Sequence, residues 1–244
     1  VSYGAGTLAI TARRSGTQTI LERLRFDGIS RCSRAFRDGD AARVMLSQLG
    51  PGVVRGDAVT TSGHVRAGAH LIVTSQAATR LMGGPRPSRA QATWSLDERA
   101  VLELIGEPLV AGSEASYDAT TIVELQPGSF IVMSELTRVS AAADVRLRTS
   151  VRRTGRELYY DAVDAAACAP QAVGTFAIVG LEAARVAALL AAIDAATDHD
   201  SRVGVGGLPT GVFARILADD LWAIRSLLSD LRAAAWSALR DDPA

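Results

Sequence analysis

The sequence predicts a mainly β protein: stacked β-sheets, built as a sandwich or wound as a solenoid, with two or three α-helices at the C-terminal end. Three observations predict it. Short β-like runs recur between glycine, proline and aspartate turns as far as about Leu181. Several of these runs alternate apolar and polar residues, as strands with one buried face do. After Gly180 the chain turns rich in alanine and leucine at helical spacing.

Taken in order, the first strand candidates are Thr7–Thr11, Gln18–Leu24, Arg43–Leu46, Val59–Val65 and Leu71–Ser75. Ala90–Trp94, Ala100–Leu104, Thr120–Leu125 and Phe130–Leu136 come next, then Val145–Val151, Leu158–Val163 and Thr175–Val179. Two turns read as hairpins. Gln126-Pro127-Gly128-Ser129 sets proline and glycine at the centre, the chemistry of a type II turn. In Arg153-Thr154-Gly155-Arg156, Gly155 is free to take positive φ. No repeat of fixed length is visible, so pattern alone does not choose the solenoid.

In the C-terminal part, Leu181, Ala184, Ala188 and Ala192 trace a helix between Leu181 and Ala196. Asp198 to Gly207 reads as a loop or brief edge strand, and Gly204-Val205-Gly206-Gly207-Leu208-Pro209 as a flexible connector. Val212, Ile216, Leu217, Leu221, Ile224, Leu228, Leu231 and Ala235 then form an apolar stripe, predicting a helix over Gly211–Leu239. It is open to a break at Asp219-Asp220, where the acids cap a second segment. The chain is expected to be one domain over 1–244, a β-rich body at 1–181 and a mainly helical part at 182–244.

Composition narrows the function. The 244 residues carry 26 basic and 26 acidic side chains, a formal charge of zero, without the basic excess of an electrostatic nucleic-acid binder. Every basic residue is arginine, and lysine and asparagine are absent; GC-rich codon usage and selection for bidentate arginine contacts at interfaces both account for this. Cys32 and Cys168 are too few and too far apart for a disulfide framework, which fits a reduced, cytoplasmic setting. The first residues carry no signal pattern, and no window approaches the roughly 18 apolar residues of a membrane span.

Catalysis requires a nucleophile, a base or a metal cluster, and none is persuasive. Of the three histidines, His64 and His70 are six apart and would share a face on one continuous strand, but Gly68 intervenes and no third ligand is near. Asp198-His199-Asp200 holds ligand-type side chains in what reads as a solvated loop. The glycine run at 204–207 lacks a P-loop ending, and no Gly-x-Ser-x-Gly elbow exists. Arg55-Gly56-Asp57 reads as a strand-entry turn. Arg146, Arg148, Arg152, Arg153 and Arg156 read as a solvated strand face.

One constellation is more specific. Gly50-Pro51-Gly52-Val53-Val54-Arg55-Gly56-Asp57 precedes the run Gly68-Ala69-His70-Leu71-Ile72-Val73-Thr74-Ser75-Gln76-Ala77-Ala78-Thr79-Arg80. It resembles the signature of the urease accessory protein UreD (UreH) family: a glycine-rich turn ending in Gly-Asp, then Gly-Ala-x-x-x-x-Thr-x-Gln-x-Ala-Thr-Lys/Arg. Leu104 to Leu109 occupies the place of that family's Leu-Pro-x-Pro segment, with Gly106 at the first proline. Phe130 to Glu135 resembles its glutamate-bearing strand, without the Gly-Arg pair that follows there.

The resemblance implies a non-catalytic scaffold for urease maturation with a β-rich body and a few helices. It implies a UreF-type partner, a UreG-type GTPase and apo-urease as companions, and Ni²⁺ passing through an internal channel without tight binding. A transit path should hold a late first-row metal weakly, so isolated carboxylates and hydroxyls suit it. Glu135 is the first candidate to line it, with Asp57, Thr74 and Gln76 behind it; Gly68, Thr79 and Arg80 complete the motif set for partner binding. The alternative roles are structural: Asp57 bonding turn amides, Thr74 pairing across strands, Gln76 satisfying buried backbone. A β-rich carbohydrate- or small-ligand-binding module is the other functional class, although aromatic residues are only 5%, thin for sugar platforms.

Overall fold

The computed structural model describes residues 4–54, 56–84, 86–164, 172–197 and 202–241. In chain order the strands begin with β1 (Ala5–Ser15), β2 (Gln18–Gly28), β3 (Ser30–Cys32), β4 (Phe36–Asp38) and β5 (Ala41–Gln48). β6 (Ala58–Val65), β7 (His70–Ser75), β8 (Thr79–Leu81), β9 (Ser88–Leu96), β10 (Val101–Ile105) and β11 (Leu109–Ala111) follow. The rest are β12 (Ser116–Leu125), β13 (Phe130–Val139), β14 (Asp144–Arg153), β15 (Arg156–Asp164), β16 (Ala172–Val179), α1 (Ala183–Ala196), β17 (Arg202–Leu208), β18 (Gly211–Ala218) and α2 (Leu221–Asp241).

The strands wind as a solenoid. The chain alternates between a first sheet, ordered β15-β14-β12-β9-β6-β1-β2, and a second whose main path is β17-β18-β16-β13-β10-β7-β5-β3. Within the stack the pairing is parallel: β6 with β9 and β9 with β12 in one sheet, β7 with β10 and β10 with β13 in the other. Ala58 faces Arg89, Arg89 faces Asp118, and Asp118 faces Arg146, so one coil takes 28 to 31 residues. A narrow third wall is formed where β8 pairs with β11 and β11 with the end of β13. The repeat has no sequence signature because stacking asks only for an apolar residue at each inward position. The column Ala42–Leu71–Leu102–Ile131 meets that demand with three residue types.

Between the sheets lies the main core, with Leu71, Leu96, Leu102, Leu125, Ile131 and Trp94 buried. Gly63 stands beside Trp94 in the register, and a Cβ there would meet the indole Cε3 at 1.9 Å; glycine is what lets the ring lie flat against the strand. A second core forms on the outer face of the second sheet. There Val132, Leu136, Phe176, Ile178 and Ile216 pack under Leu189 and Ile193 of α1 and Ile224, Leu228 and Leu231 of α2.

All twelve expected strands lie within or over observed ones; the three-residue β3, β4, β8 and β11 carry too little pattern to read. Four readings are corrected. Pro127-Gly128 does form a turn, with Ser129 N–H donating to Gln126 C=O at 3.1 Å and Gly128 at φ +70°, but it passes the chain between sheets, not into a hairpin. Arg153–Arg156 does join the antiparallel pair β14–β15. The expected connector at 204–209 is largely strand β17. The helix predicted from Gly211 starts instead at Leu221, after β18, which pairs with β16 and β17; Val212, Ala214 and Ile216 alternate into the core. Their spacing fits both periods, and pairing decided. At the helix start, Trp222 N–H donates to the Asp220 carboxylate at 2.9 Å, as an end cap should. In α1, Ala184 and Ala188 are exposed while Leu189 and Ile193 are buried, because the larger side chains take the core-facing side.

Candidate functional site: an internal cavity of the solenoid

The inward columns of the first sheet are large at one end and small at the other. Trp94, Val123 and Val151 share one column and Leu96 and Leu125 another, and they fill the space between the sheets. The columns Val59–Ala90–Ala119–Leu147 and Thr61–Ala92–Thr121–Thr149 are mostly too small to do so. A cavity of about 230 Å³ remains, lined by these residues other than Thr149, with Tyr117 and, opposite, Ser75, Thr79, Leu109 and Glu135. It adjoins a second space of about 580 Å³ that reaches Leu46–Gly52 and the loop Gln76–Arg80. Val59, Thr61, Ser75, Thr79, Ala90 and Tyr117 belong to the walls of both.

The motif residues divide between this space and structural work. Gln76, Thr79 and Arg80 line the outer space and Glu135 the inner one. Gly52 explains why the glycine-rich turn accompanies Arg80: at φ +135° a Cβ would meet Arg80 O at 2.3 Å, and the next residue, Val53, donates its N–H to that carbonyl at 2.8 Å. Asp57 lies outside the cavity wall. Its carboxylate accepts Gly4 N–H and Val54 N–H, each at 2.8 Å, and pins the first strand to the turn. Thr74 donates its hydroxyl across the strands to Val44 C=O at 3.2 Å. Gly68 takes φ +65° in the turn before β7, with its N–H donating to Glu98 C=O on the next coil.

Glu135 sits in a polar patch that no sequence reading assembled. In register it faces Thr175, which faces Arg215. Arg215 donates to the Thr175 hydroxyl at 2.8 Å and to the Asp161 carboxylate at 2.5 Å. Burial, reinforced by the negative charge of Asp161 and opposed by Arg215, lifts the Glu135 carboxyl to about 7. Burial with the Glu135 charge also pushes the Tyr117 phenol up. The wall therefore holds a carboxyl that exchanges its proton near neutral pH, among hydroxyls.

A more deeply buried carboxylate lies on the opposite face of the second sheet, away from the cavity. Glu103 is 1% exposed, with His70 Nε2 at 2.9 Å, and it accepts Arg232 Nε–H at 2.6 Å and Trp236 Nε1–H at 3.2 Å. Burial alone would raise its carboxyl, but the hydrogen bonds from His70 and Arg232 outweigh burial and hold it at about 2. The sequence offered one hint, a lone acid inside the apolar run Ala100–Ile105. Two of its partners, Arg232 and Trp236, come from α2, more than a hundred residues later, and the third, His70, from the preceding coil. His64 is on the other sheet, 2.9 Å from Asp97, so the two histidines do not meet. No three of His, Cys, Asp and Glu gather to hold a metal among the described residues; the Asp198–Asp200 triplet and Cys168 lie outside them. Nor is any described helix long and apolar enough to cross a membrane.

The model of the UreD urease accessory protein family matches residues 4–244. The chain belongs to the UreD family. A urease accessory protein UreD of Actinomyces naeslundii is 34% identical over 205 residues, covering 75% of this chain and 74% of its own. One from Bacillus sp. strain TB-90 is 26% identical over 247 residues, covering 92% and 91%. UreD 1 of Methylorubrum extorquens is 32% identical over 127 residues, half of this chain and 43% of its own. Membership supports a role in urease maturation.

Proposed function

We propose that this chain is a non-catalytic scaffold for nickel insertion into apo-urease, and that the solenoid interior is the corridor for the ion. The observation carrying this reading is the pair of adjoining spaces between the sheets, whose inner wall holds two carboxyls among hydroxyls: Glu107, paired with Arg225, and Glu135. One carboxylate with Thr61, Thr121 and Tyr117 offers a divalent ion oxygen ligands one at a time, which holds it weakly enough to release it. An imidazole or thiolate cage would trap it.

In this role Ni²⁺ is cargo, and its approach favours the ionised form of Glu135, whose proton leaves near neutral pH. The chain works in the cytoplasm with a UreF-type protein and a UreG-type GTPase, docked on apo-urease; it needs no resident cofactor and engages neither nucleic acid nor membrane. The family resemblance supports these partners, and the solenoid supplies an extended surface to receive them.

The test is deletion of the gene in its host, followed by urease assays with and without excess nickel. Normal apo-urease levels with little activity, partly restored by nickel, are expected. Unchanged activity would return the chain to the ligand-binding class. The Glu135→Leu variant should fold yet activate urease poorly, because it replaces the oxygen ligand at similar volume.

A further inference from the structure

Unpartnered surface collects at the N-terminal end of the coil stack. Four of the exposed large hydrophobic side chains lie there: Ile20 (37%) and Phe26 (41%) on β2, Phe36 (49%) on β4 and Leu49 (50%) in the turn after β5. β2 ends the first sheet and pairs only with β1, so its far backbone edge is open beyond Thr19, whose N–H donates to Asp40 C=O. An open edge of this kind is a template for another strand. Inboard of this edge, on the outer face of the sheet over β1 and β6, lies a groove of about 770 Å³, with Thr7, Ala9, Thr60 and Ser62 as floor and Arg23 and Arg25 on the wall.

The charges here are unbalanced. Glu22 is held by Arg66, Asp38 by Arg43 and Asp40 by Arg14, and Asp27 accepts the N–H of Gly28. Arg23 and Arg25 meet no carboxylate among the described residues. They face Thr11 and Ala9 across the ladder, so both project on the outer side of the sheet, two residues apart. An incoming strand shows every second side chain on that side.

We propose that this edge docks an extended acidic segment of a partner protein, added as a strand beside β2 with carboxylates at alternate positions against Arg23 and Arg25. The charge pattern chooses this occupant. A second copy paired antiparallel about Leu24 would set Arg23 against Arg25, a like-charge contact. Ile20, on the same face as the arginine pair, and Phe26, on the opposite face, give the added strand apolar contacts near its ends. The site lies on the outside of the first sheet, so it is separate from the corridor.

The experiment titrates the full chain into a fluorescein-labelled peptide alternating glutamate with threonine, read by fluorescence anisotropy, with a lysine-for-glutamate peptide as control. The glutamate peptide should bind, weaken with added salt, and protect the β2 amides from hydrogen exchange. Arg23→Glu with Arg25→Glu should weaken binding about tenfold or more, while Arg156→Glu at the other end of the stack leaves it unchanged. Circular dichroism melts establish that the variants are folded. No binding by the native chain, equal binding of the lysine peptide, or unchanged affinity in the double variant overturns the proposal. Self-association of the chain that the double variant abolishes also overturns it, by assigning the edge to a second copy. None of these outcomes bears on nickel-dependent urease activation, which the gene deletion reads separately.

Discussion

Glu103 and Glu135 show how one residue type takes opposite behaviour from its surroundings. Glu103 is surrounded by donors, and its folded value of about 2 lies below its ordinary 4.5. Its contribution to stability is therefore complete above about pH 4.5 and is lost as pH falls toward 2, about 3 kcal/mol in all. Glu103→Gln should lower the melting temperature at pH 7 and narrow its gap to the native chain by pH 3; a gap that ignores pH would refute the account. Glu135 is the reverse, since its folded value of about 7 lies above 4.5. It costs stability increasingly from pH 4.5 to about 7, by about 1–3 kcal/mol, so Glu135→Gln should be the more stable protein at pH 8 and equal to the native chain at pH 4. Thermal melts across that range decide it. Gly63→Ala should cost about 2–4 kcal/mol, because a Cβ has nowhere to go but into Trp94. A melting point within error of the native one would show that the ring can move aside. The sequence displayed all three residues but not their neighbours, and the neighbours set the behaviour.

At the scale of elements, strands were easy to read and their sheets were not. Alternation located β6, β9 and β12, yet nothing within a strand tells which sheet it joins. β18 is the sharpest case: Val212 and Ile216 satisfy a helical stripe and also, with Ala214, the alternation of a strand between β16 and β17. Long-range pairing outweighs local periodicity there, and Gly211, whose Cβ would meet Ile178 O at 1.9 Å, permits the close approach. The docking of α2 rests on its apolar stripe and on Arg232 and Trp236 gripping Glu103. Arg232→Ala leaves that carboxylate poorly compensated and should cost about 3–5 kcal/mol. Hydrogen exchange should then rise first in α2; uniform exchange through the molecule would mean that the helix is not the element held by this contact.

For the whole molecule, the solenoid leaves a space between its sheets, open to solvent on one side, where successive coils put small residues inward. Ala90 lies in both walls, so Ala90→Phe should obstruct the passage between the two spaces. Urease activation by the host should fall severalfold while the melting temperature drops by only the few degrees expected of overpacking; undiminished activation would count against transit through this space. The amino-acid sequence by itself determined the β-rich class, the alternating strands, the helical C-terminal texture and the motif from Gly50 to Arg80 that marks the family. These are local properties, written in periodicity and turn chemistry. The tertiary structure alone decided that the sheets wind as coils, that Glu135 shares a cavity with Thr79 while Gln76 and Arg80 line the adjoining space, and that Asp57 serves the turn instead. Stacking constrains only size and polarity at each inward position, so residues a coil apart come together without leaving a recurring pattern along the chain.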